Sequence, residues 1–300
     1  MNQPIQNGLV EPLVSIVMPS LNQARFINDA IDSIFSQEYR KVELIVADGG
    51  STDDTVGCLA ERQSTDARLR WVSAKDTGPA QAINSALKLV RGTVVGWLNS
   101  DDIYALGAVQ RAVTTLQANP KWLMIYGHGE HVDDLGMRLH SYPTLPPDTP
   151  ISQFTEGCFI CQPTVFTRRT LWKLLGPLDE NLKTAFDFEY WLRAFSAFPE
   201  RIGFVDAVQA HSRLHAGCIT VRMRRTIALE GMQVLARHLG SAPKEWLLTY
   251  VNELLAAPDG ANIDDIRVQV DDALSVVHQW LPEGDLPELR LILEKLLVTL

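Results

Sequence analysis

Apolar and polar positions along the first half of the chain alternate between two periods. Residues 13–18 (LVSIVM) form a short β-branched apolar run closed by Pro19, the pattern of a buried strand. Phe26, Ala30, Ile31, Ile34 and Phe35 then recur at helical spacing. Residues 42–47 (VELIVA) predict a second strand running into the tight turn Asp48-Gly49-Gly50-Ser51, after which Thr52 or Asp53 can cap a helix through Val56, Leu59 and Ala60. Residues 69–72 read as a third strand. Pro79 suits the first turn of a helix whose apolar face is Ala82, Ile83, Ala86, Leu87 and Val90. Residues 93–98 read as a fourth strand, followed by an acidic turn and a helix over about 106–116.

This β-α order predicts an α/β fold, a mostly parallel sheet with helices on both faces. In such sheets ligands bind beyond the carboxyl ends of the strands. The polar turns at 20–23, 48–53 and 99–102 therefore belong on one rim. Further on the pattern changes. Residues 124–142 hold two strand-like runs around Asp133-Asp134-Leu135-Gly136, a hairpin, and 143–150 is a proline-rich loop. Residues 186–198 predict an amphipathic helix and 202–208 a short strand. From about 221 the reading is helical, with breaks near 240–243, 258–260 and 282–284. The expected organisation is an N-terminal lead (1–12), an α/β domain (13–220) and a C-terminal helical region (221–300).

Three hundred residues can bury a core without disulfide or metal staples. A net charge of −9 argues against a nucleic-acid partner, which needs clustered Lys and Arg. Cys58, Cys158, Cys161 and Cys218 are too scattered for a disulfide framework, and Cys158-Phe159-Ile160-Cys161 has no second pair at zinc spacing. The expected compartment is the reducing cytoplasm. The N-terminus has no basic region followed by an apolar core, and no run of 18 apolar residues exists. Peripheral attachment to the inner face of a membrane is compatible with these features. The basic run Arg222, Arg224, Arg225 could touch such a surface or simply form a solvated helix face.

The rim residues offer chemistry. Asn99-Ser100-Asp101-Asp102 ends an apolar strand with carboxylates, hard oxygen ligands that suit Mn²⁺ or Mg²⁺. The alternative is that Asp101 or Asp102 only caps the next helix. The Asp48 carboxylate could accept hydrogen bonds from a nucleobase or ribose, whereas Asp53 reads as a cap. Asp187 lies at a helix start among aromatics, where burial would raise its pKa and suit it as a base. Its alternative is an N-cap, with Glu189 and Arg193 an ordinary i,i+4 pair. His211-Ser212-Arg213-Leu214-His215 follows the last predicted strand, and Arg213 could pair with a phosphate.

Four segments occur together in order. They are Val14 through Asn22, Val46 through Thr55, Asp76-Thr77-Gly78-Pro79-Ala80-Gln81-Ala82-Ile83-Asn84, and Gly96 through Asp102. Together they resemble family 2 glycosyltransferases with the GT-A fold, over roughly residues 13–220. The resemblance implies donor contacts from Pro19, Ser20, Asn22, Asp48, Asp76, Asn84, Asn99, Ser100, Asp102 and Arg213. It implies Asp101 as metal ligand with Asp102 second, assisted by His215, and Asp187 as general base. Two positions depart from the family: Asn99 replaces the first acid of its Asp-x-Asp motif, and Phe186 stands where many members carry Glu.

The implied reaction is metal-dependent transfer from a nucleotide-sugar, with UDP favoured, to a hydroxyl of a glycan or polyprenyl-diphosphate-linked acceptor, inverting the anomeric carbon. A nucleotidyltransferase would place a Gly-rich basic loop after the first strand, where this chain has Pro19-Ser20-Leu21-Asn22-Gln23. An inactive binding module of the same fold would lose Asp187 or the acidic pair, and both are present.

Overall fold

The computed structural model describes residues 11–256 and 262–298. The break expected at 258–260 and most of the N-terminal lead lie outside them. The first half alternates as the sequence predicts: β1 (Val14–Ser20), α1 (Ile27–Phe35), β2 (Val42–Asp48), α2 (Thr55–Thr65), β3 (Leu69–Ser73), α3 (Pro79–Leu87) and β4 (Val94–Trp97). There follow β5 (Ile103–Tyr104), α4 (Ala108–Ala118) and the hairpin β6 (Met124–Val132) and β7 (Arg138–Ser141). Next come α5 (Ile151–Phe154), β8 (Phe166–Arg168), α6 (Arg169–Leu175), α7 (Phe186–Ala197) and β9 (Ile202–Arg213). The chain ends in α8 (Ile219–Arg222), α9 (Arg224–Leu239), α10 (Glu245–Leu255), α11 (Ile263–Val277) and α12 (Asp285–Val298).

One sheet runs β3-β2-β1-β4-β8-β6-β9-β5, with β7 on the flank of β6. Its first four strands are parallel, as are β6 and β9; β8 and β5 join antiparallel. Alternate side chains of β1 and β2 enter two apolar clusters, which explains why both strands read as continuous apolar runs. Ile16, Met18, Leu44 and Val46 pack with α1, α2 and α4 on one face. Val17, Ile45 and Ala47 pack with α3 on the other, in a cluster that continues without a gap through α7, α9, α10, α11 and α12. The C-terminal helices thus share the core of the α/β domain rather than sitting beside it.

The expected strand at 202–208 is longer, and His211-Ser212-Arg213 lie inside β9 rather than after it. Two register shifts near His128 let the second half of β9 pair again with β6, through Val132 opposite Arg213, while β5 pairs its other edge. Register also gathers the strand ends: Ser20 lies opposite Asp48, and Val17 opposite Trp97. The rim inferred from the β-α order is therefore present.

Candidate active site

A cleft of about 530 Å³ opens at this rim, within the size range of small-molecule sites. It is lined by Pro19, Ser20, Asp76 and Gly78, by the acidic turn, and by a wall of Thr184 through Phe188 with Tyr142, Cys158 and Trp246. The cleft therefore collects the ends of β1 and β4, the loop after β3, the start of α7 and one side chain from α10.

The acidic turn is held from two directions. Ser100 Oγ donates to the Pro19 carbonyl (3.0 Å), fixing the turn to β1. Arg213 donates its backbone N–H to Asp102 Oδ1 (2.8 Å) and its Nε to the Asp101 carbonyl (2.9 Å), fixing it to β9. Asn99 Oδ1 accepts from Trp97 Nε1 (3.0 Å) and Nδ2 donates to Asp102 Oδ2 (3.3 Å). Asp102 is buried, and desolvation followed by the neighbouring Asp101 charge pushes its carboxyl well above the usual range. Asp101 is more open to the cleft, and its Oδ2 lies 3.1 Å from His215 Nε2, whose ring packs on Phe26.

Two crowded carboxylates beside an imidazole make an electrostatically incomplete site. Hard oxygens with one nitrogen donor fit Mn²⁺ or Mg²⁺. Among the described residues no group of three or more His, Cys, Asp or Glu is gathered so as to hold a metal ion by itself.

Several residues expected at the donor lie elsewhere. Asn84 is buried where α3 meets the 178–180 loop. Its Nδ2 donates to the Leu178 carbonyl and to Glu180, and its Oδ1 accepts from Leu178 N (2.9 Å). Both ends of the amide are consumed in docking the 178–180 loop, so Asn84 is a packing residue outside the cleft. Asp48 does not line the cleft either. Its carboxylate accepts from Gly50 N, Ser51 N, Ser51 Oγ and Ser73 Oγ, and so shapes the turn after β2. Asn22, at φ 55°, accepts Thr52 N on Oδ1 (2.8 Å) and staples the β1 and β2 loops together. The N-cap of α2 is Asp54, without a side-chain cap bond, rather than the expected Thr52 or Asp53. Asp53 accepts from Thr55 N and Oγ1 and from Ala24 N, tying the helix start to the loop after β1.

Arg213 borders the cleft, but its guanidinium is spent on the Asp101 and Asp134 carbonyls and on Asp29, over the face of Phe26. It clamps the turn and offers little to a phosphate. Pro19, Ser20, Asp76, Asn99, Ser100 and Asp102 do line the cleft as expected. Burial, with a further contribution from the Asp48 charge, raises the Asp76 carboxyl.

Asp187, in the first turn of α7, lines the same cleft as the acidic turn. Phe188 N donates to its Oδ1 (2.7 Å). Burial pushes its carboxyl from the ordinary 3.8 to about 6. The expected Glu189–Arg193 pair is present as well, on the opposite side of the helix (2.9 Å). Cys158 and Cys161 border the same wall, where desolvation pushes the Cys158 thiol up to about 12, with Asp187 adding to the effect. Both are protonated, unreactive thiols at neutral pH.

Phe186 and Arg222, which lie outside the four segments, also line the cleft. Phe186 stacks on Trp97 (5.7 Å, 20°), so the residue that replaces the family's Glu makes an aromatic floor beside Asp187. Of the basic run, Arg222 borders the cleft, while Arg224 and Arg225 pair with Glu253 and Asp272.

With this geometry in view, comparison with known sequences decides the family: the model of glycosyl transferase family 2 matches residues 15–175. The chain is a family 2 glycosyltransferase. An uncharacterized glycosyltransferase of Rickettsia prowazekii is 27% identical over 230 residues, 72% of this chain and 68% of that protein. Chondroitin synthase of Escherichia coli is 29% identical over 191 residues, 63% of this chain but only 27% of the synthase. Among solved structures, S. aureus TarS in complex with UDP-GlcNAc has a TM-score of 0.64 at 20% identity, with 90% of this chain and 82% of that one covered. The mannosyltransferase PcManGT from Pyrobaculum calidifontis, in complex with GDP-Man and Mn²⁺, has a TM-score of 0.60 at 21% identity, covering 97% and 81%. At these identities the structural likeness carries the fold, which is the expected GT-A type. No helix among the described residues is long and apolar enough to cross a membrane.

Proposed function

We propose that this glycosyltransferase moves a sugar from a nucleotide-sugar, UDP-linked in the simplest reading, to a hydroxyl of a glycan or lipid-linked acceptor, with inversion. One observation carries the reading. The crowded Asp101–Asp102 pair and the proton-avid Asp187 face a single cleft, an arrangement that sets a charge-neutralising site and a base around one substrate.

Pro19, Ser20 and Asp76 would hold the nucleoside, with Asn99 and Ser100 beside the ribose or sugar. Asp101, with Asp102 and His215, would hold Mn²⁺ or Mg²⁺. The ion would supply Lewis-acid neutralisation of the diphosphate leaving group. Asp187 is ionised at neutral pH yet retains proton affinity, so it takes the proton of the attacking hydroxyl as the new glycosidic bond forms. Attack from the Asp187 side, opposite the leaving diphosphate, inverts the anomeric carbon in one displacement. Trp97 and Phe186 exclude water from the apolar floor where the sugar ring would lie. The relatives in solved complexes with UDP-GlcNAc and with GDP-Man and Mn²⁺ support the donor class and the ion. The reading includes action in the cytoplasm, where nucleotide-sugars are met, with peripheral membrane contact if the acceptor is lipid-linked.

A thermal-shift screen of UDP- and GDP-sugars with and without Mn²⁺ or Mg²⁺ tests class, donor and ion together. Stabilisation by at least one nucleotide-sugar that requires the ion is expected. Equal stabilisation by nucleoside triphosphates and sugar phosphates would favour the nucleotidyltransferase alternative.

A further inference from the structure

The segment that leads into the Asp187 helix is tied down by a residue far along the chain. α7 begins at Phe186 with Ala185 as its N-cap, and Ala185 has no side chain to cap with. The backbone N–H groups of Lys183, Thr184 and Ala185 instead converge on the carboxylate of Glu230, in the middle of α9. Glu230 Oε1 accepts from Lys183 N (2.8 Å), and Oε2 accepts from Thr184 N (2.7 Å), Thr184 Oγ1 (2.7 Å) and Ala185 N (3.0 Å). Successive main-chain N–H groups aimed at one point form an anion nest, and here the anion is part of the protein.

The same loop lines the cleft continuously, from Lys183 through Phe188, so whatever fixes it fixes the wall that carries Asp187. Two further contacts tie α9 to α7 and to the loop that precedes it. His238 Nε2 lies 3.1 Å from Glu189 Oε1, and Arg237 pairs with Asp179 at 2.8 Å. Phe188, one residue after Asp187, packs on Trp246 of α10 (4.9 Å).

We infer that Glu230 is a positioning residue for sugar transfer: by filling the nest before α7, it sets the location of Asp187 relative to the bound donor. This rests on the assignment of Asp187 as base. The donor-side residues, from Pro19 to Asp102, come from other elements, so Glu230 should govern turnover rather than donor capture. Displacement of a reacting group by about 1 Å costs on the order of 10²-fold in rate. Glu230→Asp draws the carboxylate back by one methylene with its charge intact. Glu230→Gln keeps one oxygen able to accept the Oε2-side bonds.

The experiment measures nucleoside diphosphate release from UDP-GlcNAc, UDP-glucose and GDP-mannose with Mn²⁺ and with water as acceptor, together with calorimetric binding of free UDP and GDP. In the full-length protein Glu230→Ala is expected to lower kcat at least ~10-fold while donor KM and nucleotide affinity stay within about threefold. Glu230→Gln should recover most of the rate, and Glu230→Asp should lose it in the manner of Ala. If Ala does not fold, the Asp and Gln pair carries the same contrast. Unchanged kcat in the Ala or Asp variant overturns the inference, as does a parallel loss of nucleotide affinity. Asp187→Asn run alongside separates the two ideas: full activity there removes the base assignment, whereas an inactive Asp187→Asn with an unaffected Glu230→Ala removes only the latch.

Discussion

Replacing Asp187 by Asn should stabilise the protein at the pH where it destroys activity. The Asp187 carboxyl titrates near 6 in the folded chain against an ordinary 3.8, so the folded state holds this proton more tightly than the unfolded state does. The stabilising contribution of that proton is complete below about 3.8 and is lost as pH rises through about 6. Above that, the native protein carries an ionised group in an environment that disfavours it. At about 1.4 kcal/mol per pH unit the displacement is worth at most ~3 kcal/mol. Because the side chain opens partly onto the cleft, about 1–3 kcal/mol is the realistic range. Asparagine is nearly the same shape, can still accept from Phe188 N, and never ionises.

Urea unfolding midpoints at pH 8 should therefore rise in Asp187→Asn, and the gap should narrow steadily as pH is lowered toward 4. Turnover should fall ~10²–10⁴-fold, the usual contribution of a general base, with donor affinity nearly intact. In the native enzyme kcat should climb with pH through a limb near 6. A variant no more stable than the native protein at pH 8, or a stability gap independent of pH, would refute the electrostatic argument. Retained turnover would refute the base.

Asp101→Ala should weaken Mn²⁺-dependent nucleotide binding at least ~10-fold in calorimetry, and an unchanged titration would contradict its assignment as ligand. Asn99→Asp restores the family's acid but replaces the Nδ2 bond to Asp102 with repulsion. It should lower the ion-free melting temperature and enlarge the rise on adding Mn²⁺; an ion response equal to that of the native protein would count against Asn99 adjoining the ion. Asn84→Ala should cost about 1–3 kcal/mol in denaturant unfolding while leaving UDP affinity within twofold, and a selective loss of UDP binding would return Asn84 to the donor site. Removing divalent ions with EDTA should abolish transfer, with recovery on adding Mn²⁺ or Mg²⁺.

What the sequence revealed follows from which forces are local. β1, β2 and β4 announce themselves because strands covered on both faces must be apolar throughout. β5 and β8 span two and three residues, too short to carry a period, and their pairing partners lie far along the chain. The end of β9 is polar because it borders the acidic turn, so it resembles a loop. That the strand-end turns share one rim was legible from topology alone, although the 48–53 turn contributes no side chain to the cleft. Which side of a turn each side chain takes was not: Asp48 and Asn22 satisfy backbone N–H groups, and Asn84 faces Leu178, choices set by neighbours remote in sequence. Trp246 reaches the cleft, and Glu230 the loop that lines it, from helices that share no motif with the site, and only the packed structure brings them there.

The unbroken apolar cluster beneath α7 and the C-terminal helices limits how this enzyme can be recombined with its relatives. A graft exchanged at residue 220 would divide Phe188 from Trp246 and the 183–185 loop from its carboxylate, leaving two half-cores to be matched by chance. Acceptor preference, if it resides in that wall, is heritable only as a block that includes both α7 and α9. A crossover before α3 is no easier, because it would part β1 from β4 and both β1 and β2 from the α3 face that completes their core.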